Sequence, residues 1–144
     1  TLTLTLTLTL TLTLTLTLTL TLTLTPLKMA GVLVHEAFHV WCSLGKRMPA
    51  QLPLKVEEGL CQLVSSRYFE HLLSTSLGQV QACAGGAPGV WDPLLARFLQ
   101  HSIEVNPDPV YGDGFREAAT SCNTLGLDIL LEHVAETSHF PVLD

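Results

Sequence analysis

The chain has 144 residues, one domain's worth, and a formal net charge of −6. Its 7 lysines and arginines are scattered, which excludes the clustered basic footprint of a nucleic-acid-binding protein. The hydrophobic share of 47% is inflated by the leucines of an N-terminal repeat.

That repeat is a strict Thr-Leu alternation over residues 1–25. A period of two is the pattern of a half-buried strand, but strands are usually about 5–6 residues long. As a helix it would place leucine on every side and β-branched threonine at alternate positions. As a membrane span it lacks flanking charged anchors at its start, and half of it is threonine. We read it as low-complexity sequence without a designed structure. It also shows no basic n-region or continuous apolar h-region of a signal peptide.

Ordinary sequence begins at Pro26. From Leu27 to Leu44 the run LKMAGVLVHEAFHVWCSL has no proline and predicts a buried helix stopped by Gly45. Residues 46–53 hold Pro49 and Pro53 and predict a loop. A second helix is expected from Leu54 to Ser74, with Val56, Leu60, Leu63, Val64, Tyr68 and Leu72 at helical spacing. Residues 76–91 are rich in glycine and predict a loop. Asp92-Pro93 then offers an N-cap and a first-turn proline for a helix to about Ile103. Asn106-Pro107-Asp108-Pro109 breaks it, and Tyr111-Gly112-Asp113-Gly114 predicts a tight turn. A last helix is expected over Phe115 to Glu136, with Gly126 a weak point inside it. The fold class is therefore mainly α, with little or no sheet.

The first helix carries His35-Glu36-Ala37-Phe38-His39. Histidines four apart lie on one helix face, where a single tetrahedral zinc can take both. Glu36 falls beside them, where a general base for an attacking water is required. Catalytic zinc takes three protein ligands and keeps one position open, so one more His, Asp or Glu is expected. Glu58, after eighteen intervening residues, is the candidate third ligand, and Glu57 its rival as ligand or as a carboxylate orienting a histidine. Unpaired His and Glu in so apolar a run would be costly, and a Zn2+ ion gives them partners. The competing reading is a helix that holds the motif by accident.

Peptide hydrolysis also needs a donor for the developing oxyanion, and Tyr111, His133 and Arg116 are candidates. Arg116 can equally pair with Asp113 or Glu117. His71, His101 and His139 lack partner spacing and read as structural, and Phe38 and Trp41 read as core. The four cysteines, Cys42, Cys61, Cys83 and Cys122, form no Cys-x-x-Cys pair, which suggests reduced thiols in an intracellular, cytoplasmic protein.

The motif, the eighteen-residue gap and the Glu58-Gly59 pair resemble the gluzincin clan of metallopeptidases, whose third zinc ligand is a glutamate on a following helix. Three blocks, HEAFHVW, VEEGLCQ and IEVNPDPVYGDGFREA…LDILLEHV, resemble the C-terminal peptidase domain of the plant DA-one-like family over nearly all of Leu27 to Val142. The resemblance implies His35, His39 and the glutamate of the Glu-Glu-Gly motif as zinc ligands and Glu36 as the catalytic glutamate. It also implies a protein substrate and ubiquitin-pathway partners, since the family comprises LIM-domain peptidases activated by ubiquitylation. Neither a nucleic acid nor a membrane is expected as a partner. The chain shows no LIM cysteines, and the repeat stands where zincins generally hold the sheet that pairs with substrate. The expected organisation is a repeat over 1–25 and a zinc metallopeptidase domain over 26–144, incomplete on its N-terminal side. The expected function is a zinc-dependent peptidase. The alternative is an inactive zinc-binding helical remnant that serves as an interaction module.

Overall fold

A computed structural model describes residues 26–45, 48–49, 51–79 and 93–143. Five helices make up this part: α1 (Pro26–Leu44), α2 (Leu54–Gln79), α3 (Pro93–Glu104), α4 (Tyr111–Leu125) and α5 (Leu127–Thr137). No strand occurs among the described residues, so the mainly α class holds. No helix of the described residues is long and apolar enough to cross a membrane. The Thr-Leu repeat and most of the expected 76–91 loop lie outside the described residues.

The helix at the centre is α2, against which α1, α3 and α4 all pack. Its apolar positions explain this. Val56, Leu60 and Leu63 are buried in a core shared with Cys42, Phe115, Ala118, Cys122, Leu130 and Val134. Farther along, Phe69 is buried with Leu27 and Ala96 in a second cluster between α1, α2 and α3. α2 thus binds its neighbours by burying side chains on several sides, each fully buried leucine contributing about 1.5–3 kcal/mol of transfer free energy.

Helix ends follow local chemistry. α1 stops where the Gly45 N–H donates to the Trp41 carbonyl at 2.8 Å. α2 runs to Gln79, five residues beyond the expected end. The Pro53 carbonyl starts it, accepting from the N–H groups of Val56 and Glu57.

Tyr111-Gly112-Asp113-Gly114 is the first turn of α4, not the expected tight turn. The Asp108 side chain accepts from the N–H groups of Val110 and Tyr111 at 2.8 and 2.9 Å, and its carbonyl accepts from Gly112 and Asp113. Those bonds satisfy donors that a helix N-terminus otherwise leaves open. The expected last helix is also two helices. Gly126 breaks it with φ +88°, a conformation that L side chains rarely adopt.

The first helix is less buried than its composition suggests. Only Leu27, Gly31 and Cys42 of α1 are buried, while Leu33 is 62% and Leu44 78% exposed. Partner helices cover one side of α1, so the other side keeps its apolar residues in the open.

Gly59 and Gly114 set how closely α2 and α4 approach. A Cβ on Gly59 would stand 2.5 Å from the Gly114 carbonyl group, and one on Gly114 would stand 2.5 Å from the Lys55 carbonyl. Backbone cannot yield cheaply there. Gly59→Ala is expected to cost about 1–3 kcal/mol by overpacking, more than the roughly 1 kcal/mol that alanine gains in helix propensity. Thermal unfolding checks this: an unchanged or raised Tm would show that the two helices do not meet at these glycines.

Candidate metal centre

α1 and α2 pack so that the His35-to-His39 face meets the first turns of α2. Both histidines are partly buried, and Glu58 is buried at 7% exposure. The two Nε2 atoms lie 3.2 Å apart. Glu58 Oε2 lies 3.1 Å from the His35 Nε2 and 3.6 Å from the His39 Nε2. Despite this proximity, Glu58 Oε2 is a buried atom with no hydrogen-bond partner among the described residues. Leaving such an oxygen unsatisfied costs about 1–3 kcal/mol or more.

One cation would resolve this arrangement. Donors about 2.0–2.1 Å from a tetrahedral centre stand roughly 3.3 Å apart, and the three observed separations bracket that value. Two imidazoles and a carboxylate are also a donor set that zinc accepts. The residues present therefore fit the ion that the sequence motif implies.

Glu57 takes the other side of His39. Its Oε1 accepts from His39 Nδ1 at 2.9 Å. In the neutral ring that bond places the proton on Nδ1 and leaves the Nε2 lone pair toward Glu58 and His35. The His39 pKa is raised: burial lowers it, but the Glu57 hydrogen bond and the charges of Glu58, Glu57 and Glu36 prevail. The two adjacent carboxylates thus hold different places, Glu58 among the converging donors and Glu57 behind one of them. Glu57→Ala is expected to weaken zinc binding about 10–100-fold without abolishing it, as losses of such supporting carboxylates do. Competition with a chromophoric chelator measures this, and an unchanged affinity would remove Glu57 from the role.

Cys61 adds a donor that sequence reasoning missed. Its Sγ lies within 4.8 Å of a ring nitrogen of each histidine, and the residue is fully buried. Burial, and then the neighbouring Cys42 and carboxylates, push its thiol pKa up. A metal would have to displace a tightly held proton to use it. Glu58 Oε2, by contrast, has no hydrogen-bond partner among the described residues and faces both histidine Nε2 atoms. Cys42, Cys61 and Cys122 are free and buried, and Cys83 lies outside the described residues.

Tyr111 is brought to the same place. It opens α4, and the Gly59–Gly114 contact seats that helix beside Glu58. The charge of Glu58 and a hydrogen bond to its carboxylate raise the Tyr111 pKa, so the hydroxyl stays protonated and remains a donor. Glu36 is exposed and lines a cleft of about 250 Å³ together with His35. His133 is partly buried on α5, a helix packed on α4, and its carbonyl accepts from Thr137 Oγ1. Arg116 is a clamp: it donates to the carbonyls of Glu104 and Asn106 and pairs with Asp113, fastening the segment before α4. Phe38 stacks on Trp41 at 5.1 Å, and it packs on the core while Trp41 is largely exposed.

A helical chain with a HExxH helix facing a glutamate-bearing helix is the class that fold and site define. The family model described as DA1-like, Protein DA1, matches residues 4–137, and the chain belongs to the DA1-like family. It is 33% identical over 126 residues to Protein DA1 of Arabidopsis thaliana, covering 81% of this chain and 23% of that protein. It is 33% identical over 134 residues to the LIM domain-containing protein HDR3 of Oryza sativa subsp. japonica, covering 81% and 26%. With Protein DA1-related 1 of Arabidopsis thaliana the identity is 30% over 127 residues, covering 80% and 23%. The chain thus spans about a quarter of the length of these relatives. No solved structure matches it.

Proposed function

We propose that this chain is a zinc-dependent peptidase unit in which His35, His39 and Glu58 hold the ion. The observation that carries this reading is the convergence of three donor atoms on one point, one of them a buried carboxylate oxygen without a partner. When bound, zinc supplies Lewis acidity, polarising a substrate carbonyl and acidifying water.

The chain's own residues do the rest. Glu36 accepts the proton of the attacking water and passes it to the leaving amine. Its exposure in the cleft beside His35 supports this role, because substrate and water can reach it. Glu57 orients His39 and keeps its Nε2 free of the proton. Tyr111, which opens the helix seated beside Glu58, is the preferred donor to the developing oxyanion; His133 is the second candidate. A protein substrate and ubiquitin-pathway partners belong to the same proposal and rest on family resemblance; a cytoplasmic setting belongs to it too and rests on the unpaired cysteine spacing.

Zinc content and cleavage of an unstructured protein substrate, measured for the wild type and for Glu36→Gln, test the proposal. Stoichiometric zinc with cleavage only in the wild type is the expected result. Stoichiometric zinc without cleavage in either protein would instead make the chain a zinc-binding module.

A further inference from the structure

The cleft beside Glu36 has a character of its own. It lies between α1, α2 and α3, with His35 and Glu36 at one end. Val32, Phe69, Leu99 and Ile103 form its apolar walls. Val32 is 44% exposed, an apolar wall left open to solvent. Phe69 is buried with its ring laid on Gly31, where a Cβ would stand 2.5 Å from the ring tip. The missing side chain at position 31 therefore lets the ring close this part of the cleft against the α1 backbone.

The volume limits what can enter. About 250 Å³ falls below the roughly 300–1,000 Å³ of pockets that bury a drug-sized ligand. It is room for one large side chain. Most of the lining surface is apolar, and Gln62, Ser65 and Ser102 add neutral polar groups to it. Among the described residues, Lys28 and Glu36 are the formally charged ones that line the cleft.

From this geometry we infer that the cleft is a specificity pocket for a large apolar side chain, leucine- or phenylalanine-like, of the residue next to the scissile bond. The inference rests on the peptidase reading for the identity of the ligand as substrate. The pocket's continuity with Glu36 and His35 supplies the register: a side chain seated there places its own backbone amide at the reactive end.

The test reads binding apart from cleavage. The zinc-loaded chain is titrated with the N-acetyl amides of leucine, phenylalanine, alanine and glutamate, and the methyl resonances of Leu99 and Ile103 are followed by NMR. The leucine and phenylalanine amides should shift these methyls and bind at least about tenfold more tightly than the alanine amide, because they bury more apolar surface. Ser102→Phe, at an exposed position whose hydroxyl donates to its own helix carbonyl at Leu99, should fill the pocket and remove the preference. Val32→Asn should weaken it. Equal binding of all four amides, or an unchanged leucine preference in both variants, overturns the inference. So does peptide cleavage indifferent to the residue beside the scissile bond. The peptidase reading fails separately: a chain that orders the amides as expected but cleaves no peptide keeps the pocket and loses the catalysis.

Discussion

Replacing Glu36 by glutamine is expected to reduce peptide cleavage by about 10²–10⁴-fold, the usual contribution of a positioned general base. The amide has nearly the same shape but cannot take a proton from water. The fold should not change, because Glu36 is exposed and outside both core clusters. Zinc content should not change either, because the converging donors are His35, His39 and Glu58. The prediction is therefore sharp: activity falls while zinc and Tm remain. Equal kcat/KM in both proteins would remove Glu36 from the chemistry, and a loss of zinc would move it among the ligands.

The second large effect is at Glu58. In the wild type, free zinc at about a thousand times its Kd should stabilise the fold by about 4 kcal/mol, since the metal binds the folded chain. For a domain of this size that is a rise in Tm of roughly 10 °C or more. Glu58→Ala should bind zinc at least about a hundredfold more weakly and lose most of that rise. The metal-free forms should differ much less. One oxygen of the wild-type carboxylate, Oε2, is buried without a hydrogen-bond partner among the described residues, so removing it also removes a desolvation cost. Thermal scans with and without chelator distinguish these cases. A full zinc response in Glu58→Ala would assign the third donor elsewhere, with Cys61 first in line.

Much of the site was legible before the fold was known, for a physical reason. Residues four apart share a helix face, so His35 and His39 announce their convergence within one segment. Glu58 was readable through its spacing and the glycine behind it. The structure adds why that glycine is there: it lets α4 reach α2 at Gly114. That same contact carries Tyr111 to Glu58, which no local pattern specifies. Cys61 was invisible for a similar reason. A single cysteine one turn after Glu58 means nothing until α1 is laid across α2.

The fold was legible where local signals decide it. Gly45 marks a helix end that the structure keeps, and Pro93 stands in the first turn of α3 as expected. It was misread where glycine serves packing. Gly112 and Gly114 look like turn residues, yet they sit in a helix because other backbone passes close by and Asp108 caps the turn. At Gly126 the opposite happened: a glycine tolerated inside the expected helix adopts φ +88° and divides it. The exposure of α1 could not be read from its composition, since burial depends on which partners cover each side.

The distinction between Glu57 and Glu58 concentrates the account. One helical step separates them, yet one carboxylate supports a ligand from behind and the other joins the converging donors. Zinc K-edge X-ray absorption on the purified, zinc-loaded chain tests that claim most directly. One zinc per chain surrounded only by nitrogen and oxygen at about 2.0–2.2 Å is the predicted result. A sulfur shell at about 2.3 Å, or no stoichiometric zinc, would contradict it.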